Sequence, residues 1–368
     1  MKKIMILMTG GTIASVSTKQ GLVPDNEGTL LRYDYMREKE MQYPKDESAP
    51  QQVLLEWKEV FNLDSSNVAP KEWKLLAEEI ESVFQSKEYD GIVVTHGTDT
   101  MAYTMAGISF LLKEVPIPVV FTGSQLPFEA EDTDAVRNLT DAITTALDGV
   151  PGIVLVFAGR IIDALCAKKV YSRQKQAFES IHMPEAGCID AKGRIVWQHA
   201  PAGVPDMTFL RGEIDRNEPD CNLHMRPYVN SQVNPQESGL SDEQNLEKDE
   251  ILNGMTFSET ATVREPVSIR LLPGMNGALI DTLVQAGYRA IILEVFGCGG
   301  IPENLLPAIR RAKEKHTVIF AVSQCLHDGT DLSVYEVGSK AMEAGVISAR
   351  DLTVEALSAW VICESLKL

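Results

Sequence analysis

The chain has 368 residues, of which 44% are hydrophobic, and it carries a formal net charge of −18 at pH 7. The length predicts about two globular domains. The acidic charge argues against nucleic acid as a partner, because phosphate binding relies on lysine and arginine, and no apolar stretch approaches the roughly 18 residues of a membrane span. The predicted partner is a small-molecule substrate, with no nucleic acid and no membrane.

The amino terminus predicts a strand at residues 4–8, because this apolar run is shorter than the hydrophobic region of a secretion signal. We therefore expect a cytoplasmic location. The six cysteines are scattered and form no C-x-x-C pair, which is typical of reduced thiols in the cytosol. The six histidines contain no H-x₃-H pair, so no metal is predicted. The sequence has neither a G-x-x-x-x-G-K-[ST] nor a G-x-G-x-x-G motif, so no nucleotide cofactor is predicted.

The first half of the chain alternates apolar runs with amphipathic segments. The apolar runs predict strands that are buried on both faces, as in a parallel sheet. These runs are residues 4–8, 92–94, 119–121 and 153–157. Helices are predicted behind Pro70 and over 101–112 and 134–147. The order of elements predicts an α/β fold with a doubly wound, mostly parallel sheet.

The composition changes at 204–263, where polar and acidic residues favour a linker or a solvated insertion. Strand and helix signals resume at Val267 and predict a smaller C-terminal α/β domain. Its strands are predicted at 267–272, 290–296 and 317–322, and its helices at 277–286, 302–315 and 352–366. The predicted domains are 1–190, which contains the candidate site, a linker with the acidic insertion at 191–265, and 266–368.

Two segments of small residues follow predicted strands, at 9–15 and 95–100. In parallel α/β sheets, ligands bind beyond the carboxyl ends of the strands. Thr12 follows Gly11 and Thr98 follows Gly97, so both hydroxyls are expected where backbone can approach a ligand closely. A threonine nucleophile needs a base and fixed donors for the oxyanion. The pair predicts hydroxyl-based nucleophilic chemistry, although glycine-rich turns also occur as ordinary strand ends.

Three further groups could complete such a site. Asp99 precedes a predicted helix, where it either faces an anionic-ligand site or serves only as a cap. Lys168 and Lys169 follow a strand, and a lysine that loses its proton beside a threonine can act as a base; a pair of surface lysines is the alternative. Ser65 and Ser66 offer hydroxyls to a substrate carboxylate, or simply form a loop that leads into a helix.

At these residues the sequence resembles the bacterial-type L-asparaginase family, closest to its cytoplasmic, type I members. The resemblance covers most of the chain. Its segments are 9–15, 63–66, 89–104, 122–127, 177–180, 297–302 and 344–347, together with Trp73, Asp134 and Asn138. It implies hydrolysis of L-asparagine to L-aspartate and ammonia through an acyl-enzyme on Thr12, with minor L-glutaminase activity as an option. It also implies a homodimer or homotetramer without a cofactor.

The resemblance implies roles for individual residues. Thr98, Asp99 and Lys169 match the family's second triad, which assists proton transfer. Asp99 would also bind the substrate α-ammonium, and Ser65 its α-carboxylate, with Ser66 in the neighbouring, variable position. The glycines that precede the two threonines, Gly11 and Gly97, are expected to line the substrate site.

The sequence departs from the family pattern in three places. Leu22 stands where a lid tyrosine is usual, so either Tyr33 or Tyr35 replaces it or the first triad works differently. An asparagine that relatives contribute from a neighbouring subunit has only the shifted Glu303 and Asn304 as substitutes. The segment 204–263 is longer than the usual linker.

Two alternatives stay open. The first is the amidase subunit of a tRNA-dependent amidotransferase; such subunits carry an additional amino-terminal domain, whereas this sequence enters its first motif at Thr9, and the acidic charge disfavours tRNA. The second is a catalytically weak relative that binds an amino acid, for which Leu22 is the only support. Some type I members also bind asparagine at a regulatory site, and Cys325 lies where one of its contacts is expected.

Overall fold

The computed structural model describes residues 2–18, 21–24, 53–210 and 265–366. These residues form an eight-stranded sheet, a four-stranded sheet and two short antiparallel ribbons. Most of the polar segment 204–263, as well as Tyr33 and Tyr35, lies outside the described residues. Among the described helices, none combines the length and the apolar character needed to cross a membrane.

The N-terminal part alternates strands and helices as predicted. Its strands are β1 (Lys2–Gly10), β2 (Ser15–Thr18), β3 (Gly21–Pro24), β4 (Val53–Leu63), β5 (Gly91–Thr95), β6 (Pro118–Thr122), β7 (Gly152–Phe157), β8 (Arg160–Asp163), β9 (Ala167–Lys169), β10 (Phe178–Ser180), β11 (Gly187–Ile189) and β12 (Ile195–Trp197). Its helices are α1 (Pro70–Ser86), α2 (Met101–Leu111) and α3 (Ala135–Asp148). The four predicted strands correspond to β1, β5, β6 and β7.

The large sheet has the strand order β12-β11-β8-β7-β6-β5-β1-β4. Strands β4, β1, β5, β6 and β7 are parallel to one another, and β8, β11 and β12 extend the sheet in antiparallel pairs. The predicted doubly wound, mostly parallel sheet is confirmed. The antiparallel extension and the edge strand β4 were not predicted from the sequence.

Successive residues of each central strand face different helix layers. Met5 and Leu7 of β1 pack in one cluster with side chains of α1 and α2. Ile4 and Ile6 pack in another cluster with side chains of α3. Because side chains alternate across a strand, a strand covered on both faces needs apolar residues throughout. This explains the continuous apolar runs.

The C-terminal part is a smaller α/β unit. Its strands are β13 (Val267–Arg270), β14 (Ala290–Val295), β15 (Val318–Ser323) and β16 (Val346–Ser348), which form one parallel sheet in this order. Its helices are α4 (Ala278–Gln285), α5 (Leu306–Glu314), α6 (Glu336–Ala344) and α7 (Val354–Leu366). The predicted smaller C-terminal α/β domain is confirmed.

The last helix joins the two parts. Leu357 and Trp360 of α7 belong to the same buried cluster as Met105 and Ile108 of α2. The same cluster includes Phe320 of the small sheet, so α7 lies between that sheet and α2. The predicted domain boundaries stay predictions. Strand β12, beyond the predicted boundary at 190, pairs with β11 in the large sheet.

Candidate active site

The two threonine segments leave the large sheet at the same edge. Strands β1 and β5 are adjacent and parallel, with Met8 paired to Thr95. The Thr9 hydroxyl donates to the Thr95 carbonyl oxygen at 2.9 Å and fastens the two strand ends together. Thr95 is in turn paired with Thr122 at the end of β6. Three loops therefore begin next to one another at this edge, one after each of the neighbouring strands β1, β5 and β6.

The backbone before Thr12 touches the backbone before Thr98. A Cβ at Gly11 would lie 2.4 Å from both the Cα and the nitrogen of Gly97. Gly11 has a φ of +81°, a conformation that favours glycine. A Cβ at Gly97 would lie 2.5 Å from the Ser65 hydroxyl oxygen. The structure thus brings the backbone of the 9–15 segment, the 95–100 segment and the serine loop into direct contact.

Lys169 reaches two polar side chains of the second segment, Thr98 and Asp99. Its Nζ donates to the Thr98 hydroxyl oxygen at 2.7 Å and to Asp99 Oδ1 at 2.6 Å. Thr98 is buried, whereas the Asp99 side chain is 65% exposed and that of Lys169 is 18% exposed. The structure therefore assembles the predicted Thr98, Asp99 and Lys169 from two segments that are far apart in the sequence, with the carboxylate open to solvent.

The loop after β6 completes the hydrogen bonds of Thr98. The Thr98 hydroxyl donates to Gln125 Oε1 at 3.2 Å, so this hydroxyl accepts a hydrogen bond from the lysine while it donates one to the amide oxygen. Gln125 Nε2 donates to the Gln174 carbonyl oxygen at 3.1 Å. The buried Asp134 carboxylate accepts hydrogen bonds from the backbone N–H groups of Gln125 and Leu126. Each nitrogen lies 3.0 Å from the nearer carboxylate oxygen.

Gln125 and Asp134 received no role from the sequence alone. They belong to segments that carried the family resemblance, and Gln125 follows a predicted strand at the same edge. That position was the available signal. The contact of Gln125 with Thr98 and the fixing of its backbone by Asp134 arise only when α3 and the loop after β6 fold against each other.

The two predicted serines differ in their surroundings. Ser65 is buried, and its carbonyl oxygen accepts from the Thr100 hydroxyl at 2.7 Å, which links it to the second threonine segment. Ser66 is exposed, and its hydroxyl donates to the Asp64 carboxylate. This bond holds the pKa of Asp64 below its usual value. Ser66 therefore serves the cap of a short 3-10 turn, and its hydroxyl does not join the other site residues in this arrangement.

Thr12 begins a short 3-10 turn, Thr12–Ala14, directly after Gly11. Its side chain is half-buried. The Ser15 hydroxyl donates to the Gly11 carbonyl oxygen at 2.8 Å and closes this turn. The chain continues into the antiparallel pair of β2 and β3, in which Leu22 is paired with Ser17. The predicted position of the family's lid residue thus lies on the ribbon that follows Thr12.

His96 is a fully buried histidine within the second threonine segment. Its Nδ1 lies 2.8 Å from the Gly97 carbonyl oxygen, and because a carbonyl only accepts, Nδ1 carries the proton. Burial lowers the pKa of His96 to about 4. The ring is consequently neutral at physiological pH and supports the loop as a hydrogen-bond donor.

Three residues singled out from the sequence lie in the C-terminal part. Glu303 pairs with Lys340 at 2.6 Å, and Asn304 Nδ2 donates to the Met275 carbonyl oxygen at 2.9 Å. Both side chains thus have partners within their own domain. Cys325 lines a cavity between the two parts of the chain; the regulatory site there stays a prediction.

Among the described residues, no group of three or more His, Cys, Asp or Glu side chains is arranged to hold a metal ion. The described cysteines Cys166, Cys188, Cys298, Cys325 and Cys363 are all free thiols.

Comparison with known proteins assigns the family. The model of the Asparaginase, N-terminal family matches residues 3–202, and the model of the Glutaminase/Asparaginase C-terminal domain matches 267–362. The chain belongs to the asparaginase family. It is 34% identical over 358 residues to the L-asparaginase of Thermococcus kodakarensis, covering 96% of this chain and 90% of that one.

Other similar proteins are named as D subunits of glutamyl-tRNA(Gln) amidotransferases. The chain is 30% identical over 304 residues to a glutamyl-tRNA(Gln) amidotransferase subunit of Pyrococcus abyssi. This match covers 80% of the chain, which spans only 58% of that subunit. Membership of the asparaginase family therefore establishes an amidohydrolase-type protein but leaves the substrate as a proposal.

Solved structures of family members share the fold. The L-asparaginase of Thermococcus kodakarensis superposes with a TM-score of 0.72 at 31% identity, covering 97% of this chain and 90% of that one. L-asparaginase I of Vibrio cholerae superposes with a TM-score of 0.70 at 26% identity, covering 100% of this chain and 94% of that one. The expected similarity to type I members of the family is confirmed.

Proposed function

We propose that this asparaginase-family protein hydrolyses L-asparagine to L-aspartate and ammonia through a threonine nucleophile, Thr12. The observation that carries the proposal is the contact of the Lys169 amine with both Thr98 and Asp99, at the sheet edge from which the Thr12 segment leaves. A hydroxyl that already touches an amine and an amide has the partners that proton transfer requires.

In the first step, the Thr12 hydroxyl oxygen attacks the side-chain amide carbon of asparagine. The carbon–nitrogen bond breaks, the hydroxyl proton ends on the leaving nitrogen, and ammonia departs, which leaves an aspartyl ester on Thr12. Backbone N–H groups at the glycine-rich turn are suited to stabilise the oxyanion, because glycine lets the backbone approach the substrate closely.

In the second step, water attacks the ester carbon. The water proton passes to the Thr98 hydroxyl as that hydroxyl gives its own proton to an unprotonated Lys169 amine. The ester bond breaks, the proton held by Lys169 returns through Thr98 to the Thr12 oxygen, and aspartate leaves. The exposed Asp99 carboxylate would bind the substrate α-ammonium, and the buried Ser65 would bind the α-carboxylate. An amino-acid zwitterion needs this pairing of one acid with several donors.

The test is ammonia release from L-asparagine by the wild-type chain and by Thr12→Ala and Lys169→Met. Each variant is expected to lose about three orders of magnitude of kcat, as for other essential groups of a nucleophilic site. Thr144→Ala is the matched control, because it removes a threonine hydroxyl that only bonds within α3, to Thr140. Turnover by Thr12→Ala within about tenfold of wild type would refute the nucleophile.

The same assay separates the substrates. Glutamine differs from asparagine by one methylene, which a pocket discriminates by only about 1–3 kcal/mol, so we expect a minor L-glutaminase activity. The similarity to amidotransferase subunits supports a second candidate, an amidase that acts only with a tRNA-bound substrate. Ammonia release from free asparagine without RNA would exclude that candidate, and strict dependence on tRNA would establish it.

The remaining expectations are assembly and location. We propose a homodimer or homotetramer, which light scattering of the purified chain would distinguish from a monomer. A cytoplasmic location is part of the same proposal, and fractionation of the source cells tests it.

A further inference from the structure

Two consecutive lysines leave β9 in opposite directions. Lys169 reaches Thr98 and Asp99, as described above. The Nζ of Lys168 instead lies 2.7 Å from Glu355 Oε1, in the first turn of α7. Neighbouring side chains of a strand point to opposite faces. Because the two lysines are consecutive residues of one strand, a shift of Lys168 also moves the backbone that carries Lys169.

The strand itself is short, and its ribbon packs into the large core cluster through Ala167 and Phe178. β9 has three residues and pairs with β10, also of three residues, in a separate two-stranded ribbon. Two strands alone are marginally stable in water, so the ribbon depends on its packing against the rest of the protein. The salt bridge of Lys168 adds a further contact, to a helix of the other domain.

Glu355 is well placed to provide this contact. Its side chain is 11% exposed, against 26% for Lys168. Its second oxygen, Oε2, is buried and has no hydrogen-bond partner among the described residues. Lys168 is therefore the main group that balances the negative charge of Glu355. A buried carboxylate without a counter-charge is strongly unfavourable, so Glu355 holds the lysine firmly.

Helix α7, which carries Glu355, also packs against the helix that follows Thr98 and Asp99. Helix α2 begins at Met101, two residues after Asp99, and packs along α7. Cys363 Sγ of α7 donates to the Gly107 carbonyl oxygen of α2 at 3.6 Å. The segment with Thr98 and Asp99 and the strand with Lys169 are thus both attached to α7, one through α2 and the other through Lys168.

We infer that Glu355, through its ion pair with Lys168, is a positioning residue that fixes Lys169 against Thr98 and Asp99. The inference rests on the proposed function, because it assigns Lys169 its role there. Glu355 touches neither substrate nor reacting atoms. Its contribution is to keep the catalytic amine within hydrogen-bond distance of two partners, and a displacement of about 1 Å at such a group can cost roughly a hundredfold in rate.

The test is steady-state kinetics on L-asparagine with Glu355→Gln, in the wild-type and in the Lys169→Met background. We expect kcat to fall by about ten- to a hundredfold with KM within about twofold. In the Lys169→Met background the same substitution should leave kcat unchanged within about twofold, because residues that act through one another are not additive. Lys168→Arg, which keeps the charge and the reach, should retain kcat within about threefold of wild type.

The matched control is Asp281→Asn, which breaks an ion pair of the same length within the C-terminal domain, Arg311 with Asp281 at 2.7 Å. It should keep the wild-type kcat. The inference is overturned if Glu355→Gln keeps kcat, if it lowers kcat equally without Lys169, or if Asp281→Asn has the same effect. If Glu355→Gln does not fold, Glu355→Asp, shorter by one methylene, provides the same comparison in both backgrounds.

These outcomes are separable from those of the proposed function. A wild-type chain that releases no ammonia from asparagine, or a Lys169→Met variant of full activity, contradicts the proposed function itself. A strong effect of Lys169→Met together with no effect of Glu355→Gln contradicts only the positioning role.

Discussion

The buried histidine of the second threonine segment predicts a specific loss of stability in acid. His96 has no exposed surface, and burial lowers the pKa of its ring from 6.5 to about 4. In the unfolded chain the ring returns to its ordinary value. Between these two pKa values, the unfolded state binds a proton that the folded state refuses, so the free energy of unfolding must fall as the pH falls.

The size of the effect follows from the shift. Each unit of difference in pKa corresponds to about 1.4 kcal/mol, so the full shift of His96 represents about 3 kcal/mol of lost stability once the pH is below both values. About 2 kcal/mol of this is lost by about pH 5. At neutral pH the ring is largely unprotonated in both states and contributes little to the pH dependence.

The assay is urea unfolding of the wild-type chain and of His96→Asn at about pH 7 and about pH 5. Asparagine can still donate to the Gly97 carbonyl oxygen, but it does not titrate. The variant is expected to lose about 2 kcal/mol less than the wild type between the two pH values. The other shifted groups, including His182 and His199, are present in both proteins and cancel in the difference. Equal losses of unfolding free energy in the two proteins would refute the conclusion that His96 is neutral and buried in the folded state.

Three further substitutions test the packing around the site. Gly97→Ala places a Cβ 2.5 Å from the Ser65 hydroxyl oxygen, so kcat/KM for asparagine should fall by about a hundredfold as the loop shifts; an unchanged value contradicts the close packing. Gly107→Ala brings a Cβ to 2.5 Å from Trp73 Cε3 and should lower the unfolding free energy by about 1–3 kcal/mol in urea while kcat stays constant. Asp134→Asn directs an amide N–H₂ at backbone donors, and a loss of about 1–3 kcal/mol in the same measurement is expected.

The sequence predicted those parts of the fold that bury apolar side chains on both faces. Residues 4–8 and 92–94 are uninterrupted apolar runs because they lie at the centre of the sheet, and they became β1 and β5. The edge strand β4 was missed because its burial is mixed along its length, which produces neither a continuous run nor a regular alternation. Strands β11 and β12 have three residues each, too few for any periodic pattern to be visible.

The same distinction applies to the candidate site. The placement of Thr12 and Thr98 beyond the ends of β1 and β5 could be predicted, because each follows its strand within a few residues and parallel strands bring their carboxyl ends to one edge. Lys169 was singled out by a lysine pair, but the choice between a site residue and a surface residue came only from the family resemblance. Nothing local marked Glu355, which is 187 positions from Lys168 in the sequence. Contacts of this separation depend on how α7 packs, and no short pattern encodes that.

The two halves of the site are therefore held by different physical means. Gly11 and Gly97 are fixed by backbone contacts and by the register of β1 with β5, so a substitution there has to move the sheet edge itself and should lower stability and activity together. Lys169 is fixed through a short ribbon and an ion pair to α7. Removing the Lys169 amine leaves the large sheet intact, because β9 and β10 form a separate two-stranded ribbon. Substitutions of Lys169 itself should consequently separate kcat from the unfolding free energy, and those of Gly11 and Gly97 should not.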